Sequence, residues 1–119
     1  NDSSLKKIEL PKNLRSVPKY MFYHCTSLTQ VSGGERVTSI GTSAFEGCKK
    51  LPKITLRTKV QKIAKKAFFN CSKLKRVNIK SSALTKIEGK AFKKCHKKIK
   101  FDVPRKKIKA YKKLLKGKF

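Results

Sequence analysis

Residues 44–56 read AFEGCKKLPKITL, and residues 67–79 read AFFNCSKLKRVNI, so one pattern returns after 23 positions. Other residues extend it in both directions. The cysteines are spaced 23, 23 and 24 residues apart, and an aromatic residue stands three positions before each of them. The main columns are Phe22, Phe45, Phe68 and Phe92; Cys25, Cys48, Cys71 and Cys95; Leu5, Leu28, Leu51 and Leu74; Ile8, Val31, Ile54 and Val77; and Leu10, Gly33, Leu56 and Ile79.

A single unit carries too little apolar surface to fold alone, whereas stacked units bury each column against its neighbours. A period of 23 residues is typical of leucine-rich repeats. The alternating stretch 54–56 predicts a short strand of a parallel sheet. The Ala-Phe-x-x-Cys stretch predicts a helical turn on the opposite face. The Val-x-x-Ile stretch, which occupies residues 37–40 and 60–63, predicts an extended return between the strand and the turn. We therefore predict a leucine-rich-repeat solenoid of the α/β type.

The unit resembles the surface-antigen (BspA-type) class of bacterial leucine-rich repeats. The shared pattern is A-F-x-x-C-x-x-L-x-x-I-x-L, which runs from Ala44 to Leu56 and again from Ala67 to Ile79. The resemblance covers nearly the whole chain. It implies a cell-surface or secreted bacterial protein with a binding role, and it carries over no catalytic residue and no cofactor.

The pattern breaks near the C-terminus, where a capping helix is expected. Ile99, Phe101 and Val103 alternate as a last strand, Pro104 fits the first helical position, and Gly117 would end the helix. We predict one domain over residues 1–119, with repeats over 1–103 and a cap helix over 104–119. One helix face carries Ile108, Tyr111, Leu114 and Leu115, which we expect to close the last repeat; a membrane-surface helix is the rival interpretation.

The N-terminal end lacks such a cap. The chain starts at Asn1 rather than Met, and Leu5 already occupies a column. We therefore expect Asn1 to lie inside an array, within a longer natural chain. No apolar run approaches the roughly 20 residues needed to span a bilayer, and no membrane insertion is predicted.

The cysteines and acids suggest no metal or catalytic site. Zinc ligands usually come as close pairs, which the cysteine spacing does not supply, so buried free thiols are expected rather than a metal site or stacked disulfides. The few acids lie scattered over different repeats, which leaves no catalytic constellation and predicts a protein that is not an enzyme. The Gly33-Gly34 pair is interpreted as a bend rather than a phosphate loop.

Charge is the remaining functional signal. The net charge is +27, and residues 49–119 hold 27 Lys and Arg against two acids. Such a surface must repel itself or bind an anionic partner, so we predict binding to anionic polysaccharides or acidic protein surfaces. The alternatives are a structural stalk, a merely solvated surface, and nonspecific nucleic-acid binding, whose base-specific form is disfavoured because aromatic residues are used in the core. The candidate polyanion-binding residues are Lys53, Arg57, Arg76, Lys80, Lys97, Lys98, Lys100, Arg105, Lys106 and Lys107.

Overall fold

A computed structural model describes residues 2–119 as a solenoid of about four turns that ends in a helix. The expectation that Asn1 lies inside an array falls outside the described residues. Each turn contributes one long strand and one two-residue strand. The long strands are β1 (Lys7–Leu10), β3 (Gln30–Gly33), β5 (Lys53–Leu56), β7 (Arg76–Ile79) and β9 (Lys100–Asp102). The short strands are β2 (Ser16–Val17), β4 (Ser39–Ile40), β6 (Lys62–Ile63) and β8 (Lys86–Ile87).

The sequence columns are the register of the parallel sheets. Ile54 pairs with Val77, and Val77 pairs with Phe101, each one repeat further along the chain. Ile40 and Ile63 pair in the same way on the short strands. Equivalent residues therefore lie one strand spacing apart, about 4.8 Å, and the predicted solenoid is confirmed.

A stack of phenylalanine rings runs through the core. The ring centroids of Phe22, Phe45, Phe68 and Phe92 are separated in turn by 5.2, 5.1 and 5.3 Å. The rings of the last two pairs are nearly parallel, with interplanar angles of 2° and 3°. All four rings are buried. Because this spacing nearly equals that of the strands, one residue type can fill the column without distorting the backbone.

The Ala-Phe-x-x-Cys segments form tight turns instead of a continuous helix. Their hydrogen bonds link residues three apart, as from the Cys25 N–H to the Phe22 carbonyl at 3.1 Å. Each segment includes two residues with positive φ, such as Lys66 (57°) and Asn70 (60°), which no right-handed helix can accommodate. Backbone groups that have no partner within the turn bond instead to the neighbouring repeat. For example, the Phe45 N–H donates to the Ala67 carbonyl at 2.8 Å.

The long strands separate into two sheets between β3 and β5. β1 pairs with β3, β5 with β7 and β7 with β9, whereas within residues 2–119 no ladder joins β3 to β5. In neighbouring repeats the N–H of Thr29 donates to Lys6 and that of Lys75 donates to Pro52. The equivalent residue in the third repeat is Pro52 itself, which has no N–H, so this bond is missing.

The C-terminal helix α1 (Ile108–Leu115) follows a 3-10 turn at Arg105–Lys107. Tyr111 is 1% exposed, and its hydroxyl donates to the Ser81 carbonyl at 2.8 Å and accepts from the Leu84 N–H at 3.1 Å. The helix therefore packs against the loop that holds the extra residue of the fourth repeat. Leu115 is buried as predicted, but Ile108 is 44% exposed, so the apolar stripe covers the repeats only in part.

Phe68 is the residue whose loss should cost most. Phe68→Ala removes a fully buried ring with stacked rings on both sides, and we expect a loss of about 3–5 kcal/mol in the free energy of unfolding. The measurement is urea unfolding followed by circular dichroism. The exposed Lys73→Ala is the control and should stay within about 0.5 kcal/mol. Similar losses in both variants would mean that the ring stack does not support the core.

Candidate functional site

The outward side chains of the long strands form rows across one face of the solenoid. Register places Lys53 opposite Arg76 and Arg76 opposite Lys100. Successive members therefore lie about 4.8 Å apart at the backbone, and all three are exposed. Three cations at this spacing repel one another, and a bound anion would relieve that repulsion. We call Lys53, Arg76 and Lys100 the strand row.

The middle cation of the strand row already has a partner. The Arg76 guanidinium donates from Nε to Asp102 Oδ2 at 2.7 Å and from its Nη2 to Oδ1 at 3.1 Å. The hydrogen bond from Arg76 holds the pKa of Asp102 below its usual value, and the same bond raises the pKa of Arg76. The geometry is the bidentate fork that favours arginine over lysine. Arg76 is thus partly neutralised, while Lys53 and Lys100 remain the two ends of the row.

The other candidate cations lie in three separate places. Arg57 and Lys80 follow the ends of β5 and β7 and line one cavity. Lys97 and Lys98 are exposed in the turn before β9. In the 3-10 turn, Arg105 and Lys106 are exposed and Lys107 is half-buried; Lys106 and Lys107 line a groove beside Leu84 and Thr85. The structure therefore joins the strand row and the Arg57–Lys80 pair as local groups, but it does not gather the ten candidates into one cluster.

A cavity of about 200 Å³ lies between the second and third repeats. Arg57 and Lys80 are predicted from the sequence as binding residues, but the cavity itself is not. Its walls include Val31, Ile54, Phe45 and Phe68, and Arg57 and Lys80 stand among its polar lining residues. The cavity opens where β3 and β5 fail to pair. Two deviations mark it in the sequence: Gly33 in a leucine column, and Pro52 where neighbouring repeats have Thr29 and Lys75.

Gly33 cannot readily be replaced by a larger residue. Its φ is +78°, and a Cβ atom there would lie 2.5 Å from the Leu10 carbonyl oxygen. The following residue, Gly34, has φ +74°. This pair is the predicted bend at the end of the strand, and it leaves the leucine column without a side chain at the cavity.

The cysteines form a ladder of thiols hydrogen-bonded between repeats. The Sγ atoms of Cys48, Cys71 and Cys95 lie 3.3, 3.1 and 3.2 Å from the carbonyl oxygens of the phenylalanines 26 or 27 residues earlier. Cys25, Cys48 and Cys71 are buried free thiols, as predicted, whereas Cys95 is half-buried. Burial raises the pKa of Cys95 to about 12. The thiol thus serves as a weak donor to a repeated carbonyl, which explains why this small residue recurs.

Residues 2–119 contain neither a metal-ligand cluster nor a membrane-spanning helix. In that part of the chain, no group of three or more His, Cys, Asp or Glu side chains is placed to hold a metal ion. None of the helices described there is long and apolar enough to cross a membrane.

Residues 1–117 match the BspA type leucine rich repeat region, in six copies. The chain belongs to this family. The resemblance inferred from the A-F-x-x-C pattern is thereby confirmed. No protein of curated function matches the sequence.

Solved structures of bacterial leucine-rich repeat proteins have the same fold. A leucine-rich repeat protein from Bacteroides ovatus is 35% identical with a TM-score of 0.79, over 92% of this chain and 27% of that one. A leucine-rich repeat protein of T. pallidum is 25% identical with a TM-score of 0.79, over 86% and 47%. A leucine-rich cell surface protein from Faecalibacterium prausnitzii is 22% identical with a TM-score of 0.69, over 87% and 34%. The chain thus spans less than half the length of each of these proteins.

The thiol ladder predicts low cysteine reactivity in the native protein. At pH 8 a thiol with a pKa near 12 is almost wholly protonated, so native labelling of Cys95 by a disulfide reagent should be on the order of a thousandfold slower than after denaturation. The three buried cysteines should also react slowly, because a reagent in solution cannot reach their Sγ atoms in the native protein. Absorbance during labelling in buffer and in urea measures both rates. A Ser32→Cys variant, with its new thiol at an exposed strand position, should react at once when native. Rapid native labelling of four thiols in the unaltered chain would refute the ladder.

Proposed function

We propose that this BspA-type repeat domain is a noncatalytic binding module, secreted or exposed on a bacterial cell surface, that binds anionic polymers or acidic protein surfaces. The observation that carries the proposal is the charge of residues 49–119. Both acids of that segment already form ion pairs: Asp102 with Arg76 at 2.7 Å, and Glu88 with Lys86 at 3.5 Å and with Lys62 at 3.9 Å. Most of the segment's 27 cations therefore remain unbalanced.

The fold turns this charge into an extended surface. The columns take the apolar residues inward, which leaves the side chains between them on the outside at regular spacing. The strand row adds cations on the outer face of the long strands, and the 97–98 turn and the 3-10 turn add others near the C-terminal end. An extended surface of this kind suits a linear polyanion better than a compact ligand, because its cations lie in several separate places.

The type of cation supports polyanion binding over base recognition. Most of the cations are lysines, which act as point charges on flexible stems, and the phenylalanine column is buried away from solvent. Stacking on bases needs exposed aromatic rings, and base-edge recognition relies largely on arginine and amide side chains. Binding to DNA, where it occurs, should therefore follow phosphate charge alone.

A surface location and a lack of catalysis belong to the same proposal. The BspA-type family and the leucine-rich cell surface protein of F. prausnitzii, which has this fold, support a place outside the cell. The pairing of Glu88 and Asp102 with cations supports a noncatalytic role, because neither carboxylate is left free to act as a general acid or base.

The first test is the salt dependence of polyanion binding. Affinity for heparin, measured by calorimetry, should fall steeply between about 50 and 200 mM salt. Reversing four charges near the C-terminal end, with Lys97, Lys98, Lys106 and Lys107 each changed to Glu, should weaken binding at least tenfold at about 100 mM salt.

The matched control reverses four exposed charges in the balanced N-terminal part: Lys6, Lys7, Lys12 and Lys19, each changed to Glu. It should lose less than about threefold, because those lysines lie outside the strongly basic segment. Equal losses in both variants, or binding that resists salt, would contradict a surface-charge mechanism. If no polyanion binds at low salt, the protein is better described as a stalk.

The ion pair between Arg76 and Asp102 gives a second test. Asp102→Asn removes the carboxylate that occupies Arg76 and should raise heparin affinity about two- to fivefold at roughly 50 mM salt. Asp2→Asn removes the same charge at the other end of the chain and should change the affinity less. An equal rise in both variants would mean that only net charge matters, and a fall in Asp102→Asn would mean that Asp102 orients Arg76 for binding.

A further inference from the structure

The cavity between β3 and β5 has the shape and charge of a small ligand site. Its volume is about 200 Å³. A cavity of roughly 150 Å³ lined by Leu, Ile and Phe holds benzene in another protein, so this one has room for a ring with one or two further carbons. The deep walls are Ile40, Phe45, Val60 and Phe68, which are buried and have no polar side-chain atoms.

The charged lining side chains of this cavity are cations. Arg57 and Lys80 lie one residue beyond the ends of β5 and β7, and both side chains are exposed. Neither takes part in the three ion pairs found in residues 2–119. An apolar chamber with two free cations among its exposed lining residues is complementary to a molecule with a hydrocarbon body and an anionic head.

The failed strand pairing supplies both the access and the polar groups. Ser32 on β3 and Thr55 on β5 are exposed polar residues, and both line the cavity. The facing edges of β3 and β5 share no ladder in the part of the chain that the structure describes, so their backbone groups do not satisfy each other. The opening is confined to this side, because β4 still pairs with β6 and the Phe45 N–H still bonds to Ala67. The chamber is thus held rigidly on two sides and open on the third.

We propose that this cavity binds a small hydrophobic carboxylic acid, with a phenyl-sized or branched hydrocarbon body among the core side chains and its carboxylate at Arg57 and Lys80. The site shares Arg57 and Lys80 with the candidate polyanion-binding residues, but salt distinguishes the two kinds of binding. Bulk-charge binding is lost at high salt, whereas burial of the hydrocarbon body is not weakened by salt. Experiments at about 300 mM salt therefore separate the two.

The probe is 3-phenylpropionate, titrated at about 300 mM salt while the methyl resonances are followed by NMR. The shifts should be confined to residues that line the cavity, Val31, Val37, Ile54 and Leu56, with the methyl groups of Leu74 unmoved. The neutral analogue 3-phenylpropan-1-ol should bind at least tenfold more weakly, and acetate, which has the head without the body, should cause no shifts. Shifts spread over the surface, or equal binding of acid and alcohol, would overturn the proposal.

Two variants test separately the site for the hydrocarbon body and the contact with the carboxylate. Val31→Phe fills the chamber and should abolish probe binding while the melting temperature holds or rises. Ile8→Phe, the same column one repeat earlier and outside the cavity, should leave binding unchanged. The double variant Arg57→Gln with Lys80→Gln should bring the acid to within about threefold of the alcohol, whereas Lys73→Gln with Lys75→Gln should keep the tenfold preference. Probe binding that persists in folded Val31→Phe would overturn the site.

The same titration tests a peptide as the occupant. N-acetyl-phenylalanine carries the same ring and carboxylate on a peptide backbone. If it binds much more tightly than 3-phenylpropionate, the site belongs to the C-terminus of a protein partner and the assignment to a free acid is wrong. Weaker binding supports the free acid, because the added amide has to enter the narrow gap between the strands.

Discussion

The spacing between successive turns governs every other feature of this protein. Parallel strands fix it at about 4.8 Å, and the stacked phenylalanine rings lie 5.1–5.3 Å apart. Two different interactions therefore require nearly the same distance at opposite sides of each turn. A residue that is too large for its column would push one side apart, and one that is too small would leave a void, which is why the inward positions repeat the same few residue types and the outward positions vary.

The freedom of the outward positions explains the charge. Lysines there stack above one another at one strand spacing, as Lys62 and Lys86 do in the short-strand sheet. The carboxylate of Glu88 lies within 4 Å of both amino groups and offsets part of their repulsion. Where no acid intervenes, the core has to hold like charges together. The stability of the repeats is thus what allows a basic surface of this density to exist on a folded chain.

The columns and the register could be predicted from the sequence because a period that agrees over four copies averages out local exceptions. The same agreement between copies drew attention away from single positions that depart from the repeat pattern. Pro52 and Gly33 each occupy one copy of a column, and only their meeting across one gap makes a cavity. Arg76 lies opposite Lys100 in the sheet, but it bonds to Asp102, which is two residues further along the same strand. The repeat period does not predict this diagonal contact, because it depends on the length of the arginine side chain. The turn segments fit helical spacing, but residues such as Lys66 take positive φ because bonds between repeats outweigh the local cost.

The last turn is closed by the chain itself. In earlier repeats the phenylalanine N–H donates to an alanine carbonyl of the following turn, and for Phe92 the acceptor is the carbonyl of Lys118, at 2.8 Å. Phe119 then packs on Phe101, with ring centroids 5.1 Å apart. The C-terminal residues thus imitate the start of a further repeat and saturate the position where another one would bond. A second molecule therefore cannot pair with the Phe92 N–H unless Lys118 leaves, so this bonding position is closed to edge-to-edge pairing.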